Sequence, residues 1–212
     1  AEPDMSGLAS LVATGEATAA SYLVLALDRA GIQAELFDAS RAGLFTDGDP
    51  LDGTPISLDL EKFKDTFQES SVIVMPGFVG RSATGAQTLL GRGGSDLTAL
   101  FVADQLGAKC VLFKDVDGYY DCDPNQSGSD ARRFDTLSWE TALKIGGGVV
   151  QEKSIYFSRV RRLPFVVRAP GVSGETRVGP FEDHLADADI GCVSQKVVLL
   201  GCGTVGVGVL RR

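Results

Sequence analysis

The sequence predicts an α/β fold, a three-layer sandwich whose helices cover both faces of a mostly parallel β-sheet, and three observations carry that expectation. Segments with apolar residues at three- and four-residue steps alternate along the chain with short, continuous apolar runs, the order that builds parallel sheets. Those runs have the length of strands buried on both faces. Several give way at their C-terminal ends to turns rich in glycine or aspartate, the place where open α/β sheets bind ligands.

In residues 16–30, Ala19, Tyr22, Leu23, Ala26, Leu27 and Ala30 recur at helical steps, and Gly31 can close the helix. Residues 32–37 alternate as a strand does. Leu60, Phe63 and Phe67 mark a second amphipathic helix, which leads into a buried strand at residues 72–75. Residues 77–94 are glycine-rich and read as irregular. Ser95 or Asp96 can cap a third helix that carries Leu97, Leu100, Phe101 and Leu106 and stops at Gly107. Residues 110–113 form another buried strand, followed by a loop dense in Asp, Gly and Pro to about residue 130. A short helix at 139–145 breaks at three glycines, and a strand at 165–167 lies between Pro164 and Pro170. Met75 and Trp139 read as packing residues.

These elements place one domain in residues 1–179 and an acidic linker in 180–195, with its His184 solvated. Residues 196–200 then form a strand, followed by a Gly-x-Gly-x-x-Gly turn and an apolar helix start, the opening strand-turn-helix of a Rossmann domain in 196–212. Such a piece cannot bury its own apolar faces. It is expected to dock on the preceding domain or to pair with another copy.

The 44% hydrophobic and 23% charged content is that of a soluble globular protein. No run approaches the ~18 apolar residues of a membrane span, and no basic segment precedes an apolar core as in a signal peptide; no membrane role is expected. A formal charge of −8 argues against nucleic acid as a partner, and the local cluster Arg159, Arg161 and Arg162 reads as a solvated face. The four cysteines are widely spaced and only one histidine is present, so neither a metal site nor a disulfide framework is indicated, and Cys202 is given no redox role. A reducing cytoplasm fits best.

Two stretches carry chemistry. In the first, Leu90, Gly91, Arg92, Gly93, Gly94, Ser95 and Asp96, glycines let backbone N–H groups approach a ligand and the following helix turns its positive end toward an anion. Arg92 offers a planar fork for a carboxylate, and Asp96 can hold a cation or ammonium group. The same residues also suit a plain strand-to-helix turn. In the second, Lys114, Asp115, Asp117, Gly118 and Tyr120 precede Asp123 and Pro124. Lys114 can neutralise phosphate, the carboxylates can orient Mg²⁺ or a ribose, and Tyr120 can pack against a base. Alone, this is a solvated Asp-rich loop.

Together with Gly77, Phe78, Val79 and Gly80, these stretches resemble the corresponding blocks of aspartokinases, of the amino acid kinase family, in order, spacing and spelling. The resemblance runs from about Gly15 and Glu16 to Gly179. It implies an amino-acid-kinase, carbamate-kinase-like sandwich and phosphoryl transfer from ATP with Mg²⁺ to the side-chain carboxylate of L-aspartate or a similar small amino acid. It further implies that Arg92 grips the substrate α-carboxylate, Glu16 its ammonium group, and that Gly93 and Ser95 complete the substrate site. Asp96 would organise catalysis, with Lys114, Asp115, Asp117, Gly118, Tyr120, Asp123 and Pro124 around the nucleotide.

The chain departs from the family in three places. The family's Lys-x-Gly-Gly strand has no counterpart, Asn125 replaces the arginine of its Asp-Pro-Arg, and Gly148 stands where a nucleotide-contacting lysine would be. One such charge can be worth ~10³-fold in rate, so negligible turnover is expected of this chain alone. Gly201, Gly203, Thr204, Val205 and Gly206 resemble the start of homoserine dehydrogenase, which uses NAD(P). That likeness implies a fused aspartokinase–homoserine dehydrogenase, truncated here at both ends. About fifteen residues separate the two parts, too few for the ACT domains such fusions usually carry between them. Two functions remain: an aspartate kinase, or a degenerate kinase-like domain that binds, oligomerises or regulates. A homo-oligomer is expected.

Overall fold

The structure, a computed structural model, describes residues 4–124, 130–186, 199–202 and 207–211. In chain order its elements are α1 (Met5–Arg29), β1 (Ala34–Leu36), β2 (Phe45–Asp49), β3 (Asp52–Ser57), α2 (Leu60–Glu69), β4 (Val72–Pro76), β5 (Val79–Arg81), β6 (Gln87–Leu89) and α3 (Gly94–Leu106). There follow β7 (Cys110–Phe113), β8 (Phe134–Ser138), α4 (Trp139–Ile145), α5 (Glu152–Arg161), β9 (Phe165–Arg168), β10 (Glu175–Gly179), β11 (His184–Leu185), β12 (Leu199–Cys202) and β13 (Val207–Arg211).

The apolar run of β4 explains the layering. Its five residues are all buried, and successive side chains point to opposite faces. Ile73 and Met75 join a core built with Phe63 of α2, Leu100 of α3, Trp139 of α4 and Ile155 of α5. Val72 and Val74 join Ala20 of α1 in a second core on the other side. Helices therefore cover both faces, as a three-layer sandwich requires. The large sheet has the order β1-β4-β13-β12-β7-β9-β10-β8-β11. It is mixed rather than mostly parallel among the described residues. β1–β4, β12–β7, β7–β9 and β10–β8 pair in parallel, and the other four pairings are antiparallel.

A smaller sheet, β3-β2-β5-β6, replaces the irregular segment expected at residues 77–94. Its two halves are joined inside by a 2.6 Å hydrogen bond between the Thr46 and Thr88 hydroxyls. α1 spans both sheets: Ala9 and Ala13 pack with Val79 and Leu89 of the small sheet, Ala20 with the large one. Glu16 sits between these two contacts. The helix starts well before residue 16 because Asp4 caps it, accepting the Ser6 N–H at 3.1 Å. By length and composition α1 is apolar enough to cross a membrane, contrary to the sequence reading; its inner face is nevertheless built into the domain.

Two expectations at the C-terminal end need correction. Residues 180–195 are not free linker throughout: His184 and Leu185 form β11 against β8, and Asp183 accepts the Ser138 N–H at 2.7 Å and the Thr141 hydroxyl at 2.5 Å. His184 is exposed, as expected. The second correction concerns the helix start expected after the glycine motif. Val207–Arg211 is a strand instead of a helix start, and β12–β13 inserts between β7 and β4. Val207 and Val209 alternate with Gly208, a period-two pattern, and each helical glycine costs ~1 kcal/mol. Docking on the preceding domain, one of the two expected outcomes, is what the sheet pairing shows.

Candidate active site

The glycine turn before α3 forms the floor of a cleft of about 500 Å³, lined among others by Glu16, Phe78, Arg92, Gly93, Ser95, Asp96, Lys114 and Asp115. The helix is capped at least two residues earlier than expected. Gly93, at φ 76°, is its N-cap, with no side-chain cap hydrogen bond, and Ser95 and Asp96 lie inside the first turn rather than capping it. The Gly94 N–H closes the turn onto Gly91 O at 2.9 Å, the N–H groups of Ser95 and Asp96 are left for a ligand, and the helix dipole favours an anion there.

Close packing shapes this floor. A Cβ on Gly77 would stand 3.0 Å from Ser95 Cα, and one on Gly94 2.8 Å from both Leu90 Cβ and Phe78 Cδ2. Phe78 takes a left-handed conformation at φ 69°, a strained state for a residue with a side chain. It is fixed there because its N–H donates to Thr98 Oγ1 at 3.0 Å, while that hydroxyl donates to Gly94 O at 2.8 Å.

Charge in the cleft is arranged in one tight pair. Lys114 follows β7, its amide donating to Arg168 O at 2.9 Å, and its ammonium group donates to Asp96 Oδ2 at 2.7 Å. The side chains are only 14% and 8% exposed. Burial raises the Asp96 carboxyl above its usual value, and Lys114 pulls it back in part. Arg92 and Glu16 approach from other elements, so the cleft holds both signs of charge.

A neighbouring space of about 560 Å³ shares Arg92, Gly148 and Gln151 with the first and adds Asp52 and Lys153. The helix α5, missed in the sequence reading, supplies Lys153 and, at its N-cap, Gln151. Ser154 of α5 donates to Gly93 O at 3.3 Å, and Lys153 donates to Leu90 O and to Asp52, the latter at 2.8 Å. The contacts to Gly93 and Leu90 lock the helix onto the glycine turn, and the one to Asp52 ties it to β3. A usable signal was present: Glu152 in the first turn with Arg159 and Arg161 in the last, the charge order that suits a helix dipole.

Of the residues expected around a nucleotide, Lys114 and Asp115 line the cleft and the others do not. Tyr120 donates its hydroxyl to Asp117 at 2.8 Å, and Asp117 pairs with Arg133 at 3.7 Å. Gly118 is pressed against Thr176. These contacts draw the loop toward β8 and β10, and Asp123 and Pro124 follow on the surface. Asn125 and the dinucleotide residues Gly203, Thr204, Val205 and Gly206 lie outside the described residues; Gly201 lies in β12. The helix on which a dinucleotide pyrophosphate would sit is replaced by β13. Among the described residues no group of three or more His, Cys, Asp or Glu could hold a metal ion.

Comparison with known proteins gives consistent results. The description of the Amino acid kinase family matches residues 2–165. The chain is 33% identical to the aspartokinase of Mycolicibacterium smegmatis over 187 residues, 82% of this chain and 44% of that protein. It is 31% identical to aspartokinase 2 of Bacillus subtilis over 182 residues, 84% of this chain and 44% of that protein. The crystal structure of E. coli aspartokinase III in complex with aspartate and ADP matches with a TM-score of 0.74 at 28% identity, covering 83% of this chain and 41% of that one. The chain thus spans less than half the length of these relatives.

Proposed function

The chain belongs to the amino acid kinase family, and we propose that its cleft binds L-aspartate beside MgATP and serves phosphoryl transfer to the aspartate side-chain carboxylate. The observation that carries this reading is the meeting of Glu16, Arg92, the N-terminus of α3 and the Asp96–Lys114 pair in one cleft. Glu16 and Arg92 complement the ammonium and α-carboxylate groups of an amino acid, leaving its side chain toward α3. Two adjoining spaces suit a reaction with two substrates.

A side-chain carboxylate is already ionised near neutrality, so it attacks the γ-phosphorus without a general base. The bond from the γ-phosphorus to the bridging oxygen breaks and ADP leaves. What the protein supplies is position and cancellation of charge. Asp96 holds the Lys114 ammonium in place, and Ser95 and Asp96, in the first turn of α3, line the same space. Mg²⁺ would arrive with the phosphates, which supply oxygen ligands that the cleft itself does not cluster. Support for NAD(P) or a following dehydrogenase rests on the spelling at residues 201–206, and β13 speaks against it.

A binding or regulatory role without fast turnover is favoured by one observation. Gly148 lines both spaces and offers no cation. We therefore expect the 212-residue chain to turn over far below ~1 s⁻¹, the low end for kinases. Titration calorimetry with L-aspartate in the presence of MgADP tests the site, and a coupled ADP-release assay tests the turnover. Aspartate should bind saturably, and Arg92→Ala should weaken it ~10-fold or more, the worth of a charge-assisted hydrogen bond. A folded protein that takes up no aspartate at ~10 mM would overturn the proposal.

A further inference from the structure

Three cations line the two spaces among the described residues: Arg92 lines both, Lys114 the first and Lys153 the second. The proposed function, on which this inference rests, commits two of them. Arg92 takes the α-carboxylate of the acceptor, and Lys114 is held by Asp96 at 2.7 Å with both side chains largely buried. Lys153 is placed differently. Its side chain is 32% exposed, and its partner Asp52, at 2.8 Å, is 67% exposed. An ion pair so open to water is weak, and a phosphate, which carries more charge than a carboxylate, competes well for the ammonium group. The place of that group is fixed all the same, because it also donates to Leu90 O, beside the glycine turn. A Cβ on Gly91 would stand 3.1 Å from Lys153 Nζ and 2.7 Å from Asp52 Cγ. Gly91, at φ 63°, thus serves the turn twice, through its backbone and through the room it leaves for this pair. Gly91 lines the first space and Lys153 the second, so the ammonium group stands where the two spaces meet.

We propose that Lys153 binds the phosphates of the nucleotide in the second space, supplying the charge that Gly148 does not, and that Asp52 holds the ammonium group in place until they arrive. An ammonium group has three donors. Leu90 O and Asp52 engage two of them, which leaves one for a phosphate oxygen even before the bond to Asp52 is given up. The acids of this space, Asp52 and Glu152, are exposed, whereas Lys153 is half-buried; water therefore screens their repulsion of a phosphate more than it screens the attraction of Lys153. A tether that merely fastens α5 to β3 is the competing role for this residue, and it predicts the opposite effect of removing the Asp52 charge.

Titration calorimetry of the full chain with MgADP, in the absence of aspartate, tests this, with adenosine as the probe that lacks phosphate. Lys153→Met should weaken MgADP ~10-fold or more, the worth of a charge-assisted hydrogen bond, and leave adenosine unchanged; Lys153→Arg should keep most of the affinity. Asp52→Asn should tighten MgADP by ~2–5-fold, the worth of an exposed ion pair, because it frees the ammonium group and removes an anion. A tether would instead lose affinity there. Gly148→Lys has room, since no atom lies within 4 Å of a Cβ added at that position. It should tighten MgADP in the wild-type chain and recover the loss in Lys153→Met, which the repair of a tether could not do from that place. Should Lys153→Met fail to fold by circular dichroism, Asp52→Asn and Gly148→Lys in the wild-type chain carry the test. Unchanged MgADP affinity in folded Lys153→Met, equal losses for MgADP and adenosine, or weakening by Asp52→Asn would each overturn the proposal. A chain that binds MgADP through Lys153 but takes up no aspartate would support it and count against the acceptor alone.

Discussion

Replacing Lys114 with methionine keeps the length of the side chain and removes its charge, which leaves the Asp96 carboxylate buried without a counter-ion. The two side chains are 14% and 8% exposed and meet at 2.7 Å, so little solvent remains to compensate. Breaking one partner of a buried pair costs about 3–5 kcal/mol. With a urea dependence of about 2–3 kcal/mol/M for a domain of this size, the unfolding midpoint should fall by about 1–2.5 M at neutral pH. The loss should also depend on pH. Burial already raises the Asp96 carboxyl, and Lys114 supplies the opposing influences; removing Lys114 leaves the upward push alone. A carboxyl raised in the folded state favours folding below its unfolded pKa of about 3.9 and loses that contribution as pH rises through the folded value. Lys114→Met should therefore approach wild type as the medium is acidified and fall furthest behind at pH 8. Asp96→Asn placed on top of Lys114→Met should recover much of the loss and flatten its pH dependence. The sole tryptophan, Trp139, reports the transition, since it is 6% exposed and donates its indole N–H to Ser158 at 2.8 Å. Equal midpoints for wild type and Lys114→Met at pH 5 and pH 8 would refute the buried pair as described.

Thr176→Val removes the acceptor of the Tyr119 N–H, now bonded at 2.9 Å, in a position with no exposure. The orphaned donor should cost about 1–3 kcal/mol, read as a lower Tm by calorimetry, and an unchanged Tm would count against it. Gly94→Ala should destabilise the domain by about 1–3 kcal/mol through overpacking against Leu90 and Phe78. It should also weaken aspartate binding in the calorimeter; normal affinity would mean that the floor of the cleft is not where aspartate lies.

How much was legible in the sequence varied with the source of each element's stability. β4, β7 and α4 stand where their apolar runs placed them, because burial alone decides those segments. β2 and β3 escaped notice because Asp, Gly and Pro dominate them; they are held by a buried threonine pair and sheet contacts from elsewhere in the chain. α5 was missed because its buried face includes Ser154 and Ser158, which bond to Gly93 and Leu163 instead of presenting an apolar stripe. The helix start expected after Gly206 is instead a strand, Val207–Arg211, paired with β4, and a short glycine motif does not specify which of the two follows it. In the cleft, Glu16, Arg92, Ser95, Asp96, Lys114 and Asp115 converge from three separate segments. Asp117 and Tyr120 do not join them, because Arg133, far along the chain, holds Asp117 aside, and local spacing carries no trace of that contact.

The glycine floor also limits how the cleft could be re-specialised. At Gly77 and Gly94 an added carbon meets backbone or neighbouring side chains within 3.0 Å, and at Gly93 it meets Gln151 at 2.5 Å. Enlarging any of the three forces the turn itself to move. Variation in acceptor would thereby be confined to side chains, to Glu16 of α1, Arg92 of the turn and Ser95 of α3, which can be exchanged one at a time. A library that fixes the glycines and randomises those three positions would search acceptor size and charge while leaving the backbone of the turn intact.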